Sequence, residues 1–302
     1  MLCDAISLCA KFGHEPVFIA TAPAPHNSQE YHFDIEDIQQ FAKKSGCNFA
    51  AFPSASTSDC IRQASECGAE IIISLNWPVI FTAQHLATFP FGIINAHCGD
   101  LPRYRGNACP NWAIINGEAE VVLTFHRMSE GLDSGPWYKK IAFPLGPEIY
   151  IGDVYDFLSM QIPKGFASLL DDIASGRAEA IEQTRNPSSA LRCYPRLPED
   201  GQVDWSQNVE TVHRLVRASS RPFHGAFCHF ADGTRITIWR AYPFKHEEPF
   251  CAIPGQVLLR IEGDPVIACG MGALRLEEVE AKNYTSAETK KFISSSLRTR
   301  LY

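Results

Sequence analysis

Residues 69–100, "AEIIISLNWPVIFTAQHLATFPFGIINAHCGD", carry the pattern that sets the fold class. Two short, continuous apolar runs, 69–75 and 91–97, flank a short helical pattern, "FTAQHLATFP" (81–90). Runs of this length rich in isoleucine read as strands buried on both faces, and a helix between two of them reads as a crossover. Working upstream, the same alternation recurs. "LCDAISLCAKFG" (2–13) has helical spacing and stops at Gly13, and "EPVFIAT" (15–21) is a strand pattern. "DIEDIQQFAKKSG" (34–46) is a second helix, followed by "CNFAAFPS" (47–54). "SDCIRQASECG" (58–68) is a third helix with Ser58 or Asp59 as its cap, leading into the quoted stretch.

Short apolar strands alternating with amphipathic helices predict an α/β fold, a Rossmann-like doubly wound and mostly parallel sheet. Such a fold normally opens on a strand, yet Met1 and Leu2 enter a helix directly. The expectation is that an N-terminal segment carrying the first strand is missing, the alternative being a sheet one strand short. "VVLTFHRM" (121–128) and "PWYKKIAFPL" (136–145) are further strands, and 150–175 is a long helix ending at Gly176. Residues 184–202 are rich in Pro, Ser, Asn and Arg without a period, as in a linker. Beyond them comes a capped helix (206–220), then closely spaced strands at 225–230, 235–242, 255–261, 265–270 and 273–279. That texture predicts a small antiparallel, OB-like β-barrel. The expected division is a catalytic domain over 1–187 and a barrel-like domain over 188–302.

Composition narrows the function. Apolar residues are 45% and charged residues 20% of 302, and 34 acidic against 27 basic residues give a net charge of −7. That balance argues against a general nucleic-acid binder, which neutralises phosphates with basic surface. No run is long and apolar enough for a membrane span, and no secretory signal is present, so a cytoplasmic location is expected. The eleven cysteines are scattered with no C-x-x-C pair, as free thiols in a reducing compartment are.

Ligands in open α/β sheets bind beyond the carboxyl ends of the strands. Asn95 and His97 stand at such an end, two apart, so both side chains point to one face. An amide and an imidazole directed at one crevice suit a carbonyl reaction, the amide donating to a developing oxyanion and the imidazole donating or shuttling a proton. Taken alone the pair is equally a turn asparagine and a structural histidine. Asp133, in the glycine-bracketed loop "MSEGLDSGP" (128–136), can return a carboxylate to the same crevice, where it would orient His97 and raise its pKa. Arg103 and Arg105 flank Tyr104 beside the site; they read either as a fork for an anionic acceptor or as braces of the loop. Cys98 and Cys109 near His97 have no usual zinc spacing, so no metal is expected.

Together N-x-H, L-P-x-Y-R-G, W-A-I-x-x-G-E and G-L-D-S-G form one ordered pattern, and the sequence resembles the folate-dependent formyltransferase family over essentially its whole length. "PRLPEDGQVDW", "VRASSRPFHGAF", "PGQV" and "ACGMGALRLEEV" resemble the small barrel that follows the catalytic domain in its methionyl-tRNA and aminoarabinose members. The resemblance implies transfer of a formyl group from 10-formyltetrahydrofolate to a primary amine, without metal or covalent enzyme intermediate. It places the family's catalytic Asn, His and Asp on Asn95, His97 and Asp133, with the first two holding the tetrahedral oxyanion. The folate pocket falls on backbone around Val79, Ile80 and Phe81, on Gly99, Asp100, Leu101 and Pro102, and on the loop from Ser129 to Asp133. Gly99-Asp100-Leu101-Pro102 departs from the family's common Ser-Leu-Leu-Pro.

The resemblance also bears on the acceptor. Methionyl-tRNA formyltransferases carry a Lys/Arg-rich loop after the second strand, whereas "TAPAPHNSQEYHFD" (21–34) here has no Lys or Arg. With the acidic net charge, this argues against tRNA and for a small amine, a nucleotide-linked amino sugar above all, recognised with Arg103, Tyr104 and Arg105. A catalytically silent folate-binding protein is the alternative from another class. Family members are monomers or homodimers, and the sequence does not choose between them.

Overall fold

The computed structural model describes residues 1–21, 35–51, 57–77, 79–184 and 186–302. The chain divides into two compact units, one of 1–109, 121–143 and 155–194, the other of 110–120, 144–154 and 195–302.

In the first unit, helix α1 (Leu2–Lys11) is followed by β1 (Phe18–Thr21), α2 (Ile35–Lys44), β2 (Asn48–Ala51), α3 (Thr57–Glu66), β3 (Ile72–Ser74) and the single turn α4 (Ala83–Leu86). The next strand is β4 (Ile93–His97). The alternation read from the sequence is present, and β1 pairs parallel with β2 as β3 does with β4. Ile6 of α1 and Ile38 and Ala42 of α2 pack on Ile19 of β1. Ile61 and Ala64 of α3 pack with Phe81, Phe89 and Ile93. These are the apolar stripes predicted from 3.6-residue spacing, and each fully buried Ile contributes roughly 1.5–3 kcal/mol of transfer free energy.

Downstream come β5 (Tyr104–Gly106), α5 (Cys109–Asn116), β6 (Glu120–Arg127), β7 (Trp137–Pro144) and the long α6 (Ile151–Ala174). The sheet runs β3-β4-β6-β7, and β4 pairs antiparallel with β6, so the parallel character stops at β4. Every residue of β4 is buried, and six of the eight in β6 are. Phe166 of α6 meets Phe125 of β6 edge-on at 5.1 Å, which fixes the helix against the strand. The stretch expected to be a featureless linker contains β8 (Leu191–Cys193), paired parallel with β5. Three-residue strands carry no periodic signal, and only pairing with a distant partner makes them visible.

In the second unit, α7 (Val209–Ser219) is capped by Asn208, whose side chain accepts from the Thr211 N–H. Strands β9 (Ala226–His229), β10 (Arg235–Phe244), β11 (Val257–Ile261), β12 (Asp264–Ala268) and β13 (Ala273–Ala281) form an antiparallel sheet in the order β11-β12-β13-β10-β9. The helix α8 (Ser286–Ile293), absent from the sequence reading, follows. The final residues then join the two sheet edges. Val257 N–H donates to Thr299, Leu301 N–H to Gly255, and His229 and Tyr302 exchange both backbone bonds. Through this tail the five-stranded antiparallel unit links its two edge strands. Its interior is apolar: Val212 and Val216 of α7 join Ile236, Ile238, Leu274 and Leu276.

Candidate active site

The site grows from the pairing of β4 with β6. Asn95 stands opposite His126, and His97 opposite Thr124. Cross-strand partners share a face, so four polar side chains lie together on one side of an otherwise apolar pair of strands. All four are buried. Buried polar groups must find partners, and these do. Thr124 Oγ1 donates to the Gly99 carbonyl at 2.7 Å, and His126 Nδ1 lies 3.1 Å from the Arg127 carbonyl. Asn95 Nδ2 is 3.4 Å from His126 Nε2. An amide nitrogen carries two donors, so Asn95 keeps a second N–H for another acceptor.

Asp133 joins them from the loop after β6. That loop departs beyond Arg127, which pairs with Ile94, yet its carboxylate lies 3.6 Å from His97 Nδ1 and 3.5 Å from His126 Nε2. The loop therefore folds back over the polar face. Asp133 holds a left-handed backbone (φ 45°), a region that aspartate tolerates better than most non-glycine residues. Its Oδ2 accepts the Gly106 N–H at 2.8 Å. Gly106 has φ 103°, and a Cβ there would come within 2.3 Å of the Cys193 carbonyl, so no other residue can present this N–H from the same backbone. Burial alone would raise the Asp133 pKa. The adjacent His126, the charge of His97 once protonated and the Gly106 N–H outweigh it and hold the carboxyl down to about 2.

His97 faces acceptors on both edges. Nε2 meets the Tyr104 carbonyl at 2.6 Å and Nδ1 faces Asp133. The carbonyl can only accept, so Nε2 carries the proton. Burial pulls the pKa of His97 below its ordinary value, opposed by Asp133 and the Tyr104 carbonyl and assisted by His126. The result is an imidazole that is neutral near pH 7 but has two partners ready for its cationic form, as general acid–base work requires. Gly99 makes the Tyr104 contact possible. A Cβ at this position would lie 2.4 Å from the Tyr104 carbonyl and 2.5 Å from His97 Nε2. The serine common at this position in the resembled family would not fit here.

The other expected residues are placed as follows. Leu101 is wholly buried, so its side chain belongs to the core and only its backbone can face a ligand. Asp100, unexpected at a leucine position, pairs with Lys140 Nζ at 2.6 Å, and the same ammonium donates to the Leu101 carbonyl. Pro102 follows through a cis peptide bond. Ser129 Oγ meets Ser134 Oγ at 2.9 Å and turns the loop on itself. Phe81 stacks on Trp77 in the core at 6.3 Å, Val79 is half-buried and Ile80 is exposed. Tyr104 is buried and contributes its carbonyl rather than its phenol to His97. Arg103 is exposed with its guanidinium over the Tyr104 ring, and Arg105 donates to Gln183 Oε1 at 2.7 Å, which favours a bracing role for it. Cys109 Sγ lies 3.8 Å from His97 Nε2. The basic-poor stretch 21–34 falls outside the described residues except for Thr21. His126 is the main residue the sequence reading missed. The available signal was its alternation with Thr124 on a strand next to the one carrying Asn95 and His97.

Residues 11–169 match the Formyl transferase family, and residues 197–297 match the Formyl transferase C-terminal domain. Among curated proteins, the methionyl-tRNA formyltransferase of Geobacter metallireducens is 26% identical over 294 residues, 97% of this chain and 91% of that one. Among solved structures, the N-formyltransferase from Helicobacter canadensis, in complex with folinic acid and dTDP-3-aminofucose, aligns with TM-score 0.65 at 15% identity. That alignment covers 91% of this chain and 94% of the other. HypX from Aquifex aeolicus in complex with tetrahydrofolic acid aligns with TM-score 0.60 at 20% identity over 93% of this chain. It covers 48% of HypX, so this chain spans about half of that longer protein.

Proposed function

Because the chain belongs to the formyl transferase family, we propose that it moves a formyl group from 10-formyltetrahydrofolate to a primary amine, with Asn95, His97 and Asp133 as its catalytic set. The observation that carries this reading is the buried His97 imidazole, set between the Tyr104 carbonyl and the Asp133 carboxylate on the same face as the Asn95 amide. When bound, 10-formyltetrahydrofolate supplies the formyl carbon. The residues present fit such a cosubstrate. The Gly99–Pro102 turn is pinned by Thr124 and Lys140, and the 129–135 loop by Ser129 and Ser134, giving fixed backbone edges for a flat, hydrogen-bonding heterocycle. Asn95 offers its spare amide N–H to negative charge developing on a carbonyl oxygen. His97 takes a proton from an amine and returns it to a departing nitrogen, and Asp133 stabilises the imidazolium in between.

For the acceptor, the net charge of −7 and the absence of Lys and Arg over 21–34 support a small amine, with a nucleotide-linked amino sugar first. Arg103, exposed beside the site, carries the planar fork of donors that suits an anionic group. A second reading, methionyl-tRNA, is favoured by the sequence relative from Geobacter metallireducens. Turnover with 10-formyltetrahydrofolate against UDP-, GDP- and dTDP-linked amino sugars and Met-tRNA tests both. Robust tRNA formylation overturns the small-amine reading. Tight folate binding with no transfer to any amine overturns the enzyme reading in favour of a silent folate binder.

A further inference from the structure

We propose that Gln183 is a positioning residue for the Asp133 carboxylate, an inference that rests on the proposed pairing of Asp133 with His97. Gln183 is buried, in a stretch with no periodic pattern, fifty residues from Asp133 in the chain. Its side chain spends every polar atom on the site's scaffold. Nε2 donates to the Asp133 carbonyl at 2.8 Å and to the Gly135 carbonyl at 2.6 Å, and Oε1 accepts from Arg105 at 2.7 Å. Arg105 and Gly106 are consecutive in β5, and Gly106 N–H binds the Asp133 carboxylate.

These bonds form a closed circuit: Arg105 to the Gln183 amide, the amide to the Asp133 carbonyl, and the Asp133 carboxylate back to Gly106. Both ends of Asp133 are thereby tied to one strand. A residue at φ 45° with its carbonyl and carboxylate both fixed has no freedom to swing away from His97. The Gln183 side chain is not needed to place its own backbone. The neighbouring Ile181 exchanges both backbone hydrogen bonds with Trp137, at 3.0 and 2.8 Å, and anchors the segment independently. What the side chain adds is the hold on the 133–135 turn.

The test compares Gln183→Ala, Gln183→Glu and Arg105→Met with His97→Ala as reference, each checked for folding by thermal unfolding. The readouts are kcat, KM for 10-formyltetrahydrofolate and the pH dependence of kcat. Gln183→Ala frees the turn, and kcat falls roughly 10²-fold, the scale of a misplacement of about 1 Å. Its acid limb moves to lower pH, because a loosened carboxylate raises the His97 pKa less. Gln183→Glu keeps an acceptor for Arg105 but loses both donors to the turn, so it follows Gln183→Ala. Arg105→Met leaves the carbonyl bonds intact and shifts the limb less than either.

A wild-type acid limb in Gln183→Glu, with kcat within about threefold of wild type and His97→Ala inactive, overturns the positioning role. An Arg105→Met shift larger than that of Gln183→Glu overturns it too. If His97→Ala retains full activity, the catalytic reading itself has failed and Gln183 has nothing to position.

Discussion

Asp133→Asn isolates the charge at the centre of the site. Asparagine matches aspartate in shape and tolerates the left-handed backbone at φ 45°, so the turn survives the change. It can still accept the Gly106 N–H, but it carries no charge towards the two histidines. The magnitude follows from the carboxyl pKa, held from 3.8 down to about 2. At about 1.4 kcal/mol per pH unit, the folded site prefers the carboxylate over the neutral acid by about 2 kcal/mol. Asp133→Asn is therefore expected to lose up to about 2 kcal/mol of folding stability, measured by urea unfolding. The sign is set by a depressed carboxyl pKa. The wild-type advantage carried by this carboxyl is lost as pH falls from 3.8 towards 2, and it changes further where His97 titrates. The same substitution removes an influence that raises the His97 pKa, so the His97 ring protons seen by NMR titrate at lower pH. Loss of imidazolium stabilisation lowers kcat by roughly 10²–10⁴. A stability change under about 0.5 kcal/mol, with unchanged His97 titration and kcat, would reduce Asp133 to a turn residue.

Three further outcomes can be checked. His97→Ala lowers kcat by roughly 10²–10⁴ while circular dichroism stays native; a loss below tenfold removes the acid–base assignment. Gly99→Ala forces a Cβ against the Tyr104 carbonyl and His97 Nε2, so a crystal structure of this variant shows the His97–Tyr104 contact broken and assays show kcat reduced. His213, buried in the second unit, has its pKa lowered to about 4 by burial and by Arg217. A histidine that folds neutral supports stability above its unfolded value of 6.5, and that support is lost as pH falls from 6.5 towards 4. The melting temperature of wild type therefore drops across this window, and His213→Leu flattens the drop.

The parts of the fold that were legible are those whose burial follows from local pattern. "FGIINAH" reads as a strand because its apolar run is continuous, and β4 is buried at every residue. Helices α1, α2 and α3 read correctly because each packs one stripe. Strands β5 and β8 were invisible because "YRG" and "LRC" have no period and exist only through each other. Helix α5, "CPNWAIIN", escaped because its apolar residues do not form one stripe. In the site, Asn95, His97 and Asp133 stand in motifs that carry their spacing along the chain. His126 becomes a neighbour of Asn95 only through the antiparallel register of β4 and β6, and Gln183 meets Asp133 across fifty residues without local signature. Contacts made by register and distant closure have no sequence period to announce them.

The distances within the site also say how a proton can move there without disturbing the scaffold. The short bond to the Asp133 carboxylate comes from the Gly106 backbone at 2.8 Å, whereas both histidines stand back at 3.6 and 3.5 Å. A charge–charge attraction at this separation changes gradually with distance, whereas a hydrogen bond weakens steeply once stretched or bent. The carboxylate is therefore located by a neutral backbone donor that never changes protonation. It acts on His97 mainly through its field. When His97 gains a proton, the attraction strengthens with no bond to rearrange, and when the proton leaves, Asp133 stays where Gly106 holds it. The low Asp133 pKa has the same consequence: at neutral pH the carboxylate does not compete for the proton it stabilises on the imidazole. In the proposed mechanism, fixed charge beside a ring with a lowered pKa would let His97 act as base and then as acid within a single turnover.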